Sequence, residues 1–224
     1  MSAFVGLLVA VVVAVTTTAQ DRTFALTSFF VQSTISLPLP FVSILLMTRD
    51  FGHQALSRIP VPAASAGRMA AAKLFASMII AVLAAGYGIA LSFLATSLPP
   101  SAAEGQWRGV GMIMLGSVLV QLIAQLCGAG FGLLLMSSTA AIIADVVIPL
   151  GLWFLTGAVP GLHGVQAWLA PFASVGNLLS GTMSAQRWAQ VGVVALVWVV
   201  ALNTAGMLRL RRMTKPSLVS AHGE

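Results

Sequence analysis

A single carboxylate, Asp145, falls inside an apolar run of this 224-residue chain. An acid in such a setting attracts a cation or relays a proton, or else is a structural acid, neutralised where it sits or by an arginine of the tail. The sequence leaves these open. Asp145 lies about two helical turns, roughly 10 Å, beyond the short polar turn Ser137-Ser138-Thr139, so it is off the centre of a bilayer. The other groups capable of chemistry are sparse. His53, His163 and His222 fall in loops or the tail with no partner at helical spacing, which supports neither haem nor zinc. The lone cysteine, Cys127, allows no intramolecular disulfide and no cysteine metal site, and reads as a small buried hydrophobe. There is no GxxxxGKS/T, HExxH or GxSxG, so the chain is expected to be non-catalytic and to bind no cofactor itself. Asn177-Leu178-Leu179-Ser180-Gly181 echoes part of an ATPase signature but continues Thr-Met, a coincidence.

Two polar stripes stand out at helical spacing. Gln121, Gln125, Gly128 and Gly132 share one face of an apolar run, with the glycines forming GxxxG. Small residues let helix backbones approach and amides bond across helices, so this stripe reads as helix packing. Ser33, Ser36, Pro40 and Ser43 share a face of an earlier run. Pro38 and Pro40 also leave the carbonyls of Thr34 and Ser36 without helical donors, which is tolerated at membrane depth only beside protein or water. That face is expected to look inward.

The elements that must position these residues are membrane spans. Only 7% of the residues are charged and 58% are hydrophobic, with mean hydropathy +1.00. This is the composition of an all-α polytopic membrane protein, and a span needs about 20 apolar residues. Six spans are predicted, at about 3–19, 24–47, 70–97, 109–136, 139–157 and 188–208, in one domain over 1–224. The first is short and could be a signal peptide, but its start lacks a basic residue and a retained span is expected. The segment 160–187, with Pro160-Gly161, Trp168, Pro171 and Asn177, is too interrupted to cross and apolar enough to be re-entrant or interfacial. The densest charge lies at 48–73, between the second and third spans.

The net charge of +6 does not indicate nucleic acid, because the basic residues flank apolar runs. If the loop at 48–69 and the C-terminus are cytoplasmic, that side holds Arg49, Arg58, Arg68, Lys73, Arg209, Arg211, Arg212 and Lys215. The other keeps Arg22, Arg108 and Arg187. The positive-inside rule then places both termini in the cytoplasm.

This pattern resembles the membrane subunit of type-2 ATP-binding-cassette exporters (ABC-2 type permeases). The resemblance rests on six spans, a cytoplasmic loop after the second, a tight turn after the fourth, a semi-apolar outer segment before the sixth and a basic tail. Asp50, Phe51, His53, Leu56, Pro62 and Lys73 fit the family's loop pattern, while Gly52, Gln54 and Ala55 depart from it. Gly128-Ala-Gly-Phe-Gly132 and Trp168-Leu-Ala-Pro171 add to the likeness. The chain enters apolar sequence at Ala3, so with respect to the family's interfacial helix before the first span either the start is truncated or this member lacks the element.

The resemblance implies a coupling helix in the loop that docks on a separate ATPase subunit. Arg49, Asp50, Phe51, His53, Leu56 and Arg58 would make the contact, and ATP and magnesium would be held by that partner. It further implies a dimer with a second copy or a related permease, in a bacterial cytoplasmic membrane, exporting a hydrophobic or amphipathic drug, lipid or peptide. The second and fifth spans would face each other, making Ser33, Ser36, Ser43 and Asp145 candidate pathway residues. Two readings compete: a basic loop that merely touches anionic lipid, and a proton-coupled secondary transporter using Asp145. Against the latter stand the scarcity of intramembrane charge and the lack of visible inverted repeats.

Overall fold

The computed structural model describes residues 23–51, 63–98 and 105–213, the side chains of Phe51 and of 63–65 excepted. The predicted first span and His53, Leu56 and Arg58 lie outside these residues.

The second apolar run is two helices, α1 (Phe24–Ser36) and α2 (Leu39–Phe51), broken at Leu37-Pro38. The two prolines supply the reason, since neither Pro38 nor Pro40 has an N–H to continue the ladder. Together the halves form one crossing, Phe24–Asp50. Helix α3 (Ala63–Ser97) has 35 residues. It begins well before the predicted position 70, and α2 ends later than the predicted 47. Both flanks of the expected loop are therefore helix, and Arg49, Asp50, Arg68 and Lys73 all sit on helical turns. Alanine-rich sequence from Ala63 to Ala72 favours helix despite its polarity. At 1.5 Å per residue α3 is about 52 Å long, well beyond a hydrocarbon core of about 30 Å.

Helix α4 (Val110–Leu135) ends at Met136, whose φ of 53° is left-handed and whose N–H bonds to the Gly132 carbonyl at 3.0 Å. Ser137 then caps α5 (Ser138–Ala158), giving the tight turn expected there. A 3-10 turn (Pro160–Leu162) leads to the short helices α6 (His163–Leu169) and α7 (Pro171–Leu178). The last crossing joins α8 (Ala185–Ala195), a π turn (Leu196–Ala201) and α9 (Leu202–Met213). Among the described residues, five helical stretches are long and apolar enough to cross a membrane: Phe24–Asp50, Ala66–Ser97, Val110–Leu135, Ser138–Ala158 and Ala185–Met213. The chain is an all-α, multi-pass membrane protein.

Helix α4 is the hub, touching α1, α2, α3, α5, α7, the π turn and α9. Its glycines make this possible. A Cβ on Gly128 would stand 2.5 Å from the Pro40 carbonyl oxygen, and one on Gly132 would stand 3.0 Å from Met47 Cβ. The GxxxG face therefore seats α2 backbone to backbone, as a small-residue interface does in lipid. On another side, a Cβ on Gly206 of α9 would fall 2.6 Å from Leu133 Cβ.

Six of the eight described basic residues, all but Arg108 and Arg187, gather at one end of the bundle. Lys73 of α3 pairs with Asp50 at the end of α2 and also donates to the Leu46 carbonyl at 2.6 Å. A lysine on the last carbonyls of a helix is favourable for the helix dipole as well as for the ion pair. Arg209 of α9 similarly donates to the Leu134 carbonyl at the end of α4. An apolar cluster that includes Met47, Ala70, Leu133, Met136 and Leu210 lies at this end.

At the other end, α6 and α7 form a hairpin that turns back along the spans. The chain after α7 meets the start of α4, where a Cβ on Gly109 would stand 2.8 Å from the Gly181 carbonyl. Deeper, Leu178 is buried against Gly116. At the inner turn, the Trp198 indole donates to the Leu169 carbonyl at 2.8 Å. Leu169 needs that partner because the helix breaks there, the Ala173 N–H bonding instead to Ala170.

Candidate functional site

Three proline-broken elements meet at one place. Pro40 follows the break between α1 and α2, Pro149 interrupts α5, and Pro171 starts α7. All three line a cleft of about 870 Å³ including its open mouth, walled on the fourth side by Val120, Ile123, Ala124 and Cys127 of α4. The enclosed part of that space is about 160 Å³. The lining is almost wholly apolar, with Leu37, Val146, Leu150, Phe172, Val175 and Leu178 completing the walls.

The polar groups in it are few: Ser36, Ser174, the Cys127 thiol and Asp145. Cys127 of α4 and Asp145 of α5 both line the cleft. Among the described residues, Asp145 is the only ionic one in the lining. Ser36 Oγ donates to the Ser33 carbonyl at 2.8 Å. Ser174 is only 1% exposed, and its hydroxyl has no partner among the described residues. The backbone adds acceptors. Pro40 has no N–H for the Ser36 carbonyl and Pro149 has none for that of Asp145, so two lining residues lose their intrahelical donors.

Of the four expected pathway residues, Ser36 and Asp145 come together in this cleft. Ser33 and Ser43 do not line it. Ser43 is fully buried in α2, and both hydroxyls are without partners among the described residues.

The expected packing stripe divides into distinct roles. Gly128 and Gly132 seat α2. Gln121 donates to Gln32 of α1, reaching the main-chain carbonyl at 3.0 Å and Oε1 at 2.7 Å. Gln32 in turn donates to the Ala85 carbonyl of α3 at 3.1 Å. Gln125 is wholly buried, and neither of its amide atoms has a partner among the described residues.

Among the expected coupling residues, Arg49 is exposed on the last turn of α2, Asp50 is held by Lys73, and Phe51 ends the helix. His53, Leu56 and Arg58 fall outside the described residues.

Sequence reasoning passed over Gln32, Ser174 and Asn203. Asn203 of α9 donates to the carbonyls of Leu126 and Val199, both at 2.8 Å, and so pins α9 to α4. An isolated amide in an apolar run was the available signal for Gln32 and Asn203. Ser174 had none, because its importance comes only from what α7 packs against. Compared with family models, with curated proteins and with solved structures, the chain matches none.

Proposed function

We propose that the chain is the permease subunit of an ATP-binding-cassette exporter of the ABC-2 type, paired with a second copy or a related permease and driven by a separate ATPase subunit. The reading rests first on the cleft. A multi-pass helical protein with a nearly apolar, open-mouthed cleft at a break in a span is suited to admit a hydrophobic or amphipathic molecule between its helices.

The route from motor to cleft supports it. Lys73, ten residues into α3, ties that helix to the C-terminal part of α2. Helix α2 is a rod of 13 residues, about 20 Å, whose opposite end is the break that forms one wall of the cleft. Force applied by a docked ATPase at the connection 52–62 would travel through α2 to the cleft wall as a rigid-body shift. ATP and magnesium belong to the partner, and Arg49, Asp50, Phe51, His53, Leu56 and Arg58 supply the docking surface on the cytoplasmic side.

Purification in mild detergent from the native membrane tests the reading. The permease elutes with a P-loop ATPase, and charge reversal at Arg49 and Arg58 strips that ATPase away. Flux by the chain alone in proteoliposomes, driven by a proton gradient without ATP, would establish the rival reading. That rival, a proton-coupled transporter, is favoured by one observation, the position of Asp145 as the sole carboxylate of the cleft among the described residues.

A further inference from the structure

The cleft also carries information about what it holds. Its walls offer apolar contact on every side, and among the described residues its lining contains no lysine or arginine. Its polar groups are mainly acceptors. Asp145 brings a carboxylate, and the main-chain carbonyls of Ser36 and Asp145 have lost their helical donors to Pro40 and Pro149. Ser174 contributes a hydroxyl that is buried and unpartnered among the described residues. A neutral molecule would leave the carboxylate without a counter-charge in an apolar setting, and an anion would be repelled by it. A lipophilic cation matches both the walls and the acid.

We propose that this cleft is a binding site for a lipophilic organic monocation, held by Asp145 and enclosed by the apolar faces of α4, α5 and α7. The inference takes the bound cation as cargo, and in that respect it rests on the transport reading above. The site recognises delocalised or quaternary charge in preference to a small hydrated ion, because the lining gives few oxygens and much hydrocarbon.

Equilibrium dialysis of the purified full-length chain in an uncharged detergent, with radiolabelled tetraphenylphosphonium, tests the site. Tetraphenylborate, of the same shape and opposite charge, is dialysed separately. Saturable binding of the cation at one site per chain is expected, with no saturable binding of the anion. Asp145→Asn weakens cation binding on the order of tenfold or more, the loss of one charge contact away from bulk water. Asp145→Glu retains binding. Leu150→Trp fills the cleft from its α5 wall and abolishes binding with the carboxylate intact. Equal binding of both ions, or wild-type affinity in Asp145→Asn or Leu150→Trp, overturns the proposal.

If Asp145→Asn does not elute as a folded chain, Leu150→Trp decides alone: lost binding supports the site and retained binding refutes it. Binding requires no ATPase, so the two proposals fail separately. A chain that binds the cation and retains no ATPase keeps the site and loses the exporter reading. One that retains the ATPase without binding keeps the exporter reading and loses the site.

Discussion

Gln121 of α4 donates its side-chain amide to both the backbone and the side chain of Gln32 of α1, at 3.0 and 2.7 Å, and Gln32 passes its own amide on to α3. Three spans are thus joined through two fully buried amides. Gln121→Leu leaves the Gln32 acceptors unmet and is expected to cost about 1–2 kcal/mol, typical of interhelical hydrogen bonds in lipid. Gln32→Leu breaks both links and costs more. The double variant costs less than the sum of the singles, because no orphaned amide remains. Thermal unfolding in detergent, followed by size-exclusion chromatography, measures all three.

Glycines of the same type should respond in opposite directions. Gly128→Ala drives a Cβ to 2.5 Å from the Pro40 carbonyl, and overpacking of this kind costs about 1–3 kcal/mol. Gly86→Ala in α3 meets nothing within 4 Å. It is expected to stabilise by about 0.5–1 kcal/mol through helix propensity alone. Melting temperatures of the two variants should fall on either side of the parent.

At the basic end, Lys73→Met is expected to lower the melting temperature more than Asp50→Asn. Lys73 holds both the Asp50 carboxylate and the Leu46 carbonyl. Asp50→Asn removes only a partly exposed ion pair, and such pairs are worth about 1 kcal/mol or less. High salt should shrink the gap between Asp50→Asn and the parent and leave most of the Lys73→Met deficit.

Pro149→Ala restores an N–H opposite the Asp145 carbonyl. The variant is expected to melt higher than the parent and to bind tetraphenylphosphonium more weakly, since the restored N–H engages the carbonyl of Asp145, a lining residue. Dialysis and thermal unfolding on one preparation report both changes.

The crossings were legible because each is a run of about 20 apolar residues closed by polar ones. The break in the first described span was legible from Pro38 and Pro40. The extension of α3 back to Ala63 was not, because Arg68 and Lys73 made the stretch read as loop while its alanines favour helix. Gly128 and Gly132 announced a close approach, but the partner, Pro40 through Met47, could come only from the fold. The cleft was the least legible feature. Asp145 and Ser36 were marked as exceptions in apolar runs, yet the site also needs Ser174 and Pro171 from a segment whose depth depends on its packing along α4. Helices that are apolar on every side carry little periodic signal about which faces meet.

The π turn at Leu196–Ala201 has a consequence for how the last span reads its neighbours. Trp198 addresses the hairpin through Leu169, and Asn203, five residues on, addresses α4 through Leu126. On a regular α-helix five residues make about 1.4 turns and point well apart, whereas the wider π turn bonds residues five apart and brings them nearly into line. The span therefore works as a key with two bits cut on one edge. Inserting a single residue between them would rotate one lock by about 100° and out of reach while leaving the length and hydrophobicity of the crossing almost unchanged.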